Sequence, residues 1–286
     1  MPDSNNNISY QTIYSTQIYL NSANCDICLN GSSKSNCSFF FKDIIKIEKN
    51  AIEQRVSVVD AQIPVSWYLV NETNSQIRIS LNGQTATQYT FPYGNYNVNS
   101  FITLWNTILG NAWTLTFNNT TNKLTFTHST YDFVFSNGDA SILSIIGFSS
   151  MANIINPTYS STNKSLASSS VVNFAGITKV NIKSSTFALR NFDTKSKSRT
   201  RTIASIPVNA EANGIAFYNN FTQYKSIFHN KELSMIHIEI ADDNKNLLNM
   251  NGVDWTITLQ VDIVCEVVNN LDTLEDVYLN LQQELF

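Results

Sequence analysis

Cysteine is the residue type of this chain whose spacing most directly suggests chemistry. Four cysteines occur, and three of them, Cys25, Cys28 and Cys37, belong to one short segment. Cys25-x-x-Cys28 has the spacing with which many zinc sites begin, but neither a second such pair nor a His pair follows at the usual distance. We therefore interpret the cysteines as separate thiols, with a metal site or a disulfide as the alternative, and we predict no metal and no cofactor.

The three histidines, His128, His229 and His237, are widely separated in the sequence. His237 and Glu239 fall on one face of a predicted strand, as metal ligands would, although a surface or interface pair has the same pattern. The sequence contains none of the nucleophile-elbow, zinc-protease or phosphate-loop motifs. We predict that the protein is not an enzyme.

A run of cations interrupts an otherwise weakly charged sequence. Lys195, Lys197, Arg199 and Arg201 stand at every second position, so in an extended chain all four side chains point the same way and repel one another. They then need anions opposite them, either carboxylates of a neighbouring subunit or phosphates of nucleic acid, unless the segment is a solvated loop. We treat the four as candidate inter-subunit contacts, and with a net charge of −4 we do not expect nucleic acid as a partner.

The composition favours a protein that contacts other protein. Of the 286 residues, 43% are hydrophobic and 14% are charged, whereas soluble domains carry about 25% charge. A neutral polar surface suits association, because charge keeps protein surfaces apart, and the 12% aromatic content excludes disorder for the bulk of the chain. The start "MPDSNNNISY" predicts no signal peptide, and no apolar run reaches the ~18 residues of a membrane span.

Alternating apolar and polar residues predict strands on both sides of a different middle segment. Eight such strands are predicted, at residues 37–47, 54–67, 76–80, 177–187, 201–208, 215–221, 233–241 and 254–265. Residues 12–20 also alternate enough for a strand. Eight evenly spaced strands are typical of a jelly roll. The predicted fold class is therefore mainly β, a single jelly roll (an antiparallel β-sandwich) with a small α+β insertion and a C-terminal helix. Two stacked jelly rolls, the first at residues 10–165, are the alternative.

The middle segment differs because its apolar residues change to helical spacing. Val98, Phe101, Trp105 and Leu109 recur at three- and four-residue intervals, which predicts a helix, and a hairpin follows. The predicted domains are a flexible N-terminal arm at 1–10, the jelly roll at 11–80 and 166–268, the insertion at 81–165, and an amphipathic helix at 269–286.

Two further sets of side chains are candidate contacts. The apolar side of the tail helix is a candidate inter-subunit contact, with closure of its own barrel as the alternative. It consists of Leu274, Tyr278, Leu281 and Phe286. Aromatic side chains of the insertion are candidates for stacking on a receptor glycan, with core packing as the alternative. They are Tyr93, Tyr96, Trp113 and Tyr131.

Three motifs of packing and turn residues mark the ends of predicted elements. They are the strand end "IPVSWY" (Ile63 to Tyr68), the turn "PYGNY" (Pro92 to Tyr96) before the helix, and the strand start "NGVDW" (Asn251 to Trp255). From these motifs and the helix we take six residues as core or fold-defining residues: Pro64, Trp67, Tyr68, Gly94, Trp105 and Trp255.

Together, these runs resemble capsid proteins of virophages, polinton-like viruses and large DNA viruses, over most of residues 10–265. The resemblance implies a jelly-roll capsid component. The chain is much shorter than the double jelly-roll major capsid proteins of that group, which favours a penton, the pentamer at an icosahedral vertex. A minor capsid or cement protein between major capsomers, and a receptor- or glycan-binding spike, are the alternatives.

The resemblance also implies a location and partners. It implies a structural protein of the virion's icosahedral capsid, made and assembled inside the host cell. The expected partners are further copies of itself, the major capsid protein and other minor capsid proteins. The insertion is expected to project from the barrel, where it would contact a host receptor or a fibre.

Overall fold

The structure, a computed structural model, describes residues 7–46, 51–148, 158–187, 191–193, 197–230 and 232–269. Its strands in chain order are β1 (Asn7–Asn21), β2 (Ile27–Cys28), β3 (Asn36–Lys46), β4 (Ala51–Pro64), β5 (Gln76–Leu81), β6 (Thr87–Thr90), β7 (Trp113–Asn118), β8 (Lys123–His128), β9 (Phe133–Asn137), β10 (Thr158–Ser160), β11 (Ser165–Ala167), β12 (Lys179–Lys183), β13 (Phe192–Asp193), β14 (Ser198–Arg199), β15 (Thr202–Pro207), β16 (Ile215–Asn219), β17 (Ser226–Phe228), β18 (Glu232–Ala241) and β19 (Thr256–Asn269). One α-helix, α1 (Val98–Leu109), and two 3-10 turns, Ser22–Asn24 and Gly31–Ser33, complete the regular elements of these residues. The prediction of a mainly β protein with antiparallel sheets is confirmed.

The chain divides into two compact units. The first is built from the residues before Trp67 and after Thr178, and the second is Trp67–Thr178. The insertion was predicted at 81–165, so the second unit extends beyond that range on both sides.

Two five-stranded sheets form most of the first unit. One has the order β1-β19-β4-β16, with β17 also paired to β4, and the other has the order β15-β12-β18-β3-β2. The pairing is nested along the chain: β1 pairs with β19, β3 with β18, β4 with β16 and β17, and β12 with β15. The first strand therefore pairs with the last, and the strands between them pair in the same inward order.

The buried faces of these two sheets share one core. Along β19, every second residue from Ile257 to Ile263 is buried apolar, which is the period-two pattern of a strand that faces a core. The ring of Phe39 on β3 meets the ring of Trp255 edge-on, with centroids 6.0 Å apart. Phe187, after β12, meets Phe228 on β17 at 4.9 Å. One aromatic contact thus joins β3 to the residue before β19, and a second joins the segment after β12 to β17.

β1 corrects the prediction of a flexible arm at residues 1–10. Its register places Asn7 opposite Asn269 and Tyr10 opposite Glu266, so residues 7–10 belong to a strand, while residues 1–6 lie outside the described residues. Backbone hydrogen bonds from β19 explain this outcome, because strand pairing satisfies backbone groups whatever the side chains are. β1 is also a main strand of the first unit, although residues 12–20 are not among the eight counted from the sequence.

β5 corrects the assignment of residues 76–80 to the jelly roll. It pairs with β6 and β9, and Ile77 and Ile79 are buried in the core of the second unit. Alternation shows that one face of a strand is buried, but it does not specify the sheet that the strand joins.

The second unit contains α1 and the sheets β10-β9-β5-β6 and β11-β8-β7. The helix that the apolar spacing predicts is present: Asn97 and Ser100 exchange capping hydrogen bonds of 2.9 and 3.0 Å at its start, and Gly110 follows its end with φ 82°, a conformation that favours glycine. Trp105 is fully buried at the centre of this unit. Its ring lies 4.8 Å from that of Phe126 and also contacts four other aromatic rings, those of Phe91, Phe101, Trp113 and Phe135.

The C-terminal helix predicted at 269–286 lies outside the described residues, except for Asn269, which ends β19. Its four apolar residues, Leu274, Tyr278, Leu281 and Phe286, therefore have no structural placement here. In the part of the chain that the structure describes, no helix is both long and apolar enough to cross a membrane.

We expect Trp105→Ala to destabilise the second unit by about 3–5 kcal/mol, the usual cost of truncating a large buried aromatic side chain. Chemical denaturation followed by near-ultraviolet circular dichroism measures this loss. Trp105→Phe is the matched control: the indole N–H of Trp105 has no acceptor among the described residues, so this change removes ring volume alone and should cost clearly less. Equal losses for the two variants would contradict a cavity origin.

Candidate functional site

The strand-end and strand-start motifs contact each other in the first unit. The hydroxyl of Ser66 donates to the carbonyl of Met250 at 2.7 Å, and the side chain of Asn251 donates to the carbonyl of Ser66. Pro64 ends β4 opposite Ile215, where its missing N–H is tolerated. The two motifs together fix the end of β4 beside the turn that precedes β19.

Trp67 and Tyr68, taken from the sequence as fold-defining, differ in environment. Trp67 is 6% exposed and Tyr68 is 41% exposed. The carbonyl of Tyr68, rather than its ring, makes the local contact, accepting a hydrogen bond of 3.1 Å from the side chain of Asn71. Tyr68 is therefore not a core residue, which corrects that prediction.

Asp254 and Trp255 hold the loop between β1 and β3. Asp254 accepts a hydrogen bond of 2.7 Å from the hydroxyl of Ser22 and forms an ion pair with Lys34. The indole N–H of Trp255 donates to the carbonyl of Lys34 at 2.7 Å. The hydrogen bonds from Lys34 and Ser22 lower the pKa of Asp254 below its ordinary value. The "NGVDW" motif is thus an anchor for residues 22–35.

The turn from Pro92 to Tyr96 is likewise an anchor, in this case within the second unit. Gly94 exchanges two backbone hydrogen bonds with Val70, at 2.9 and 3.0 Å, and the side-chain oxygen of Asn95 accepts the N–H of Leu69 at 2.8 Å. A Cβ on Gly94 would lie 3.3 Å from the hydroxyl oxygen of Tyr96. This close approach favours glycine, and the turn ties the start of the unit to the start of α1.

The four aromatic residues predicted as glycan contacts do not form one surface. Tyr93 and Tyr131 are 55% and 46% exposed, and the ring of Tyr131 stacks on His128 at 5.6 Å. Tyr96 is half-buried, and burial raises its pKa. Trp113 is 6% exposed within the core, so the prediction that it stacks on a sugar is wrong. Its ring is occupied by the other aromatic rings of that core.

The structure describes three of the four cations that alternate along residues 195–201. Lys195 lies outside the described residues, whereas Lys197, Arg199 and Arg201 are exposed. Arg199 on β14 pairs with Phe192 on β13, and the ring of Phe192 is 76% exposed. The β13–β14 hairpin therefore presents cations next to an exposed aromatic side chain.

An open cavity of about 350 Å³ lies between β15 and β16, which end the two sheets in the described part of the chain. Its wall includes residues of both strands and of the β13–β14 hairpin. Aromatic residues at this cavity, on β16 and on the loop after β16 are 57–86% exposed. We call this edge of the first unit the cavity flank; Phe192 and Tyr224 line the cavity, whereas Phe217 on β16 and Phe221 on the following loop are exposed beside it.

Hydrogen bonds from two asparagines fix the cavity flank. The side-chain amide of Asn191 donates to the carbonyl of Thr202 and to the hydroxyl of Ser226, both at 2.9 Å, and its oxygen accepts from the hydroxyl of Tyr224 at 3.1 Å. The side chain of Asn220 bonds both the carbonyl and the N–H of Tyr224, at 2.8 and 3.1 Å. These bonds close the turn that exposes the aromatic residues.

An ion pair anchors the same loop to β19. Lys225 donates to Asp262, a buried carboxylate that also accepts from Ser15 at 2.7 Å and from Gln260 at 2.9 Å. Burial alone would raise the pKa of Asp262, but the hydrogen bonds from Lys225, Gln260 and Ser15 outweigh it and hold this pKa below its ordinary value. Because a buried charge is costly without such partners, the loop is held firmly to the sheet.

The opposite edges of the two sheets, in the described residues, are β1 and β2. Large apolar side chains on and near these strands are also exposed, by 45–74%. We call this surface the β1–β2 flank; its residues are Tyr19, Ile27, Leu29 and Phe40. Contiguous exposed apolar groups mark association surfaces in soluble proteins. Among the described residues, the first unit thus exposes different large apolar side chains at the two edges of its sheets.

His237 belongs to a buried group of hydrogen-bonded side chains in the first unit. Its Nδ1 lies 2.8 Å from the hydroxyl of Ser185, and its Nε2 lies 2.8 Å from the side-chain oxygen of Asn36. Burial lowers the pKa of His237; the carboxylate of Glu239 opposes this change, and Arg201 adds to it. A hydroxyl beside an imidazole is a catalytic arrangement in some enzymes. Here both ring nitrogens and the backbone N–H of His237 are bonded within the first unit, so we interpret the group as part of the fold.

Sequence reasoning missed the cavity flank. One signal was present: "YNNFTQY" (Tyr218 to Tyr224) places two asparagines, which favour turns, among aromatic residues. No comparable signal marks Phe192, because its exposure depends on the pairing of β13 with β14.

We expect the stability of the protein to fall as the pH drops below about 6.5, the ordinary pKa of histidine. The folded pKa of His237 is lowered, so the unfolded chain binds more protons in this window and acid favours unfolding. His128 is shifted in the same direction, by burial and by Lys164. Thermal melts between pH 5 and 8, with about 1 unit between steps, measure the slope.

His237→Gln should lower the melting temperature at pH 8 and flatten the loss between pH 8 and 5. His229→Gln, which replaces an exposed histidine, controls for the loss of one imidazole. A slope that stays the same in His237→Gln would show that His237 does not contribute to the acid sensitivity.

Comparisons with known proteins found similarity to solved structures only. No protein-family model matches it, and no curated protein matches it. Among solved structures it is similar to the crystal structure of the selenomethionine-labelled penton protein of mavirus, with 11% sequence identity and a TM-score of 0.47. The match covers 87% of this chain and 99% of the other. This likeness assigns the chain to no family.

Proposed function

We propose that the protein is a structural virion protein, the penton of an icosahedral capsid, and that its first unit is a single jelly roll that assembles into pentamers. The nested pairing supports the jelly roll, because rolling up one long hairpin places the first strand beside the last and the second beside the second last. The observation that carries the assembly proposal is the pair of unlike apolar flanks at opposite edges of the same sandwich.

Two unlike surfaces on opposite edges of one subunit favour a ring. When the cavity flank of one copy binds the β1–β2 flank of the next, the contact is heterologous, and its repetition closes into a ring if the rotation between neighbours fits. A twofold dimer would need one surface that is complementary to itself. The number five comes from the resemblance to penton proteins and not from the flanks.

Aromatic burial would supply the free energy of this contact. Each fully buried aromatic side chain contributes about 1.5–3 kcal/mol, so the four residues of the cavity flank give roughly 6–12 kcal/mol. Association costs about 4–15 kcal/mol in lost freedom. One contact is therefore weak, and a closed ring, in which every subunit makes two contacts, is more stable than an isolated pair.

Charge adds to the contact between flanks. Lys197 and Arg199 lie on the hairpin that carries Phe192, and the exposed Asp26 lies at the β1–β2 flank, where its carboxylate accepts the N–H of Phe40 at 2.7 Å. Opposite charges across an interface increase the association rate and fix the orientation of the partners more than they raise affinity.

Other partners belong to the same proposal. The major capsid protein and other minor capsid proteins would surround the ring in the virion, and the C-terminal residues Leu274, Tyr278, Leu281 and Phe286 are proposed contacts with them or with a neighbouring copy. The second unit would contact a host receptor or a fibre, through the exposed rings of Tyr93 and Tyr131. A minor capsid protein that sits between major capsomers would form no ring by itself, so a test of ring formation distinguishes this alternative from a penton.

We expect the purified full-length protein to form closed fivefold rings as its concentration rises. Mass photometry should detect a species of five subunits, and negative-stain images should show fivefold class averages. Phe192→Ser with Phe221→Ser, or Tyr19→Ser with Leu29→Ser, should each weaken ring formation at least about tenfold, because exposed apolar area is lost from one flank. Tyr93→Ser, in the second unit, is the matched control and should leave the rings intact.

Mixing the two double variants tests how the flanks pair. Each variant keeps one intact flank, so a heterologous contact gives dimers with one copy of each variant and no larger species. Monomers alone in the mixture, or rings from either variant by itself, would show that these flanks are not the contact surfaces.

Replacing Lys195, Lys197, Arg199 and Arg201 by Gln should weaken ring formation at low ionic strength and leave it unchanged at high ionic strength. Salt screens exposed charges, so only an electrostatic contact shows this dependence in mass photometry. Lys123→Gln with Lys164→Gln, in the second unit, controls for a general loss of charge. A defect that is equal at both salt concentrations would contradict an electrostatic role.

A further inference from the structure

Three thiols of the first unit converge, although the sequence predicts separate cysteines. The Sγ atoms of Cys25, Cys28 and Cys37 all lie within 4.8 Å of one another, and those of Cys28 and Cys37 are 4.0 Å apart. Sulfur ligands at about 2.3 Å from a tetrahedral zinc ion lie roughly 3.8 Å from one another. Small side-chain rotations would therefore bring the three thiols to the separation that one ion requires.

The backbone that carries these thiols is already fixed. Cys28 lies directly opposite Cys37 in the pairing of β2 with β3. The loop around them is held by Trp255, which bonds the carbonyl of Lys34, and by two backbone hydrogen bonds of 2.8 Å from Ile240 and Met250 to Ser35 and Ser33. A preformed site loses little conformational entropy when it binds a ligand.

Burial and charge also suit a cation at this position. Cys37 is fully buried, whereas Cys25 and Cys28 are half-buried. An ion can therefore enter from the side of Cys25 and Cys28 and lose its water ligands as it binds. Lys34, a cation of the same loop, is paired with Asp254, which offsets its repulsion of a metal ion.

We propose that Cys25, Cys28 and Cys37 bind one thiophilic cation of the zinc type. Each thiol gives up its proton to the solvent when it becomes a ligand, and three thiolates leave the fourth position to water or to an outside ligand. No fourth His, Cys, Asp or Glu joins the group among the residues that the structure describes. The bound ion would connect the loop at residues 22–35 to β3, independently of the proposed capsid function.

A disulfide between Cys28 and Cys37 is the competing chemistry. The two residues are opposed across the strands, and a side-chain movement could close the gap from 4.0 Å to the ~2.05 Å of a bond. A disulfide uses two thiols and an oxidant and gives Cys25 no role. Cys25 therefore discriminates between the two, because only metal binding requires it.

The experiment titrates reduced, chelator-treated full-length protein with Co²⁺ alone and then with Zn²⁺. We expect one equivalent of Co²⁺ to give the visible and charge-transfer absorption of tetrahedral thiolate coordination, and one equivalent of Zn²⁺ to displace it and raise the melting temperature. Cys25→Ser should lower the affinity for Zn²⁺ at least about tenfold, as even the loss of supporting groups around a metal does. Cys265→Ser is the matched control, because Cys265 is a buried thiol of β19 outside the group.

Three results would overturn the proposal. They are the absence of thiolate–cobalt absorption in the natural sequence, an equal Zn²⁺ affinity in Cys25→Ser, and formation of the Cys28–Cys37 disulfide in air despite saturating Zn²⁺. Cys25 decides the outcome because it is half-buried, so that its replacement by Ser preserves the fold, and circular dichroism of each variant verifies this.

Discussion

The pairing of β1 with β19 is the interaction on which the rest of the first unit depends. It joins residues 7–21 to residues 256–269, and the other main pairs are nested inside it. Closing such a long loop costs entropy, which burial along β19 offsets. β19 lies between β1 and β4, so that Leu259 is buried on one face and Asp262, with its ion partner, on the other. Without β19, one sheet would lose its centre and the common core would open.

The three sequence motifs have one physical role. Each satisfies backbone polar groups where the chain leaves a regular element, which is required wherever such groups are buried. Ser66 bonds a carbonyl of the turn before β19, Trp255 bonds the carbonyl of Lys34, and Gly94 pairs with Val70. A resemblance carried by residues of this kind indicates a fold, and the role of the protein has to be argued from its surface.

The surface of the first unit combines firm anchoring with apolar exposure. Asn191, Asn220 and the Lys225–Asp262 pair hold the cavity flank in place, so Phe192 and Phe221 are exposed on an ordered frame. A surface that is ordered before binding loses less entropy when it associates. The second unit has its own core around Trp105, so its packing does not draw on the residues that form the two flanks.

By itself, the sequence determined the features that depend on neighbouring residues: the helix with its apolar face from Val98 to Leu109, and the buried face of β19. Periodicity and capping depend on residues that are close in the sequence, so they can be predicted without knowing which elements pack together. Only the tertiary structure decided which strands pair, and this moved residues 76–80 to the second unit, placed residues 7–10 in β1, exposed Tyr68 and buried Trp113 in the core of the second unit. The convergence of the three thiols and the exposure of Phe192 belong to the same class, because both follow from strand registers, which the alternation of side chains leaves open.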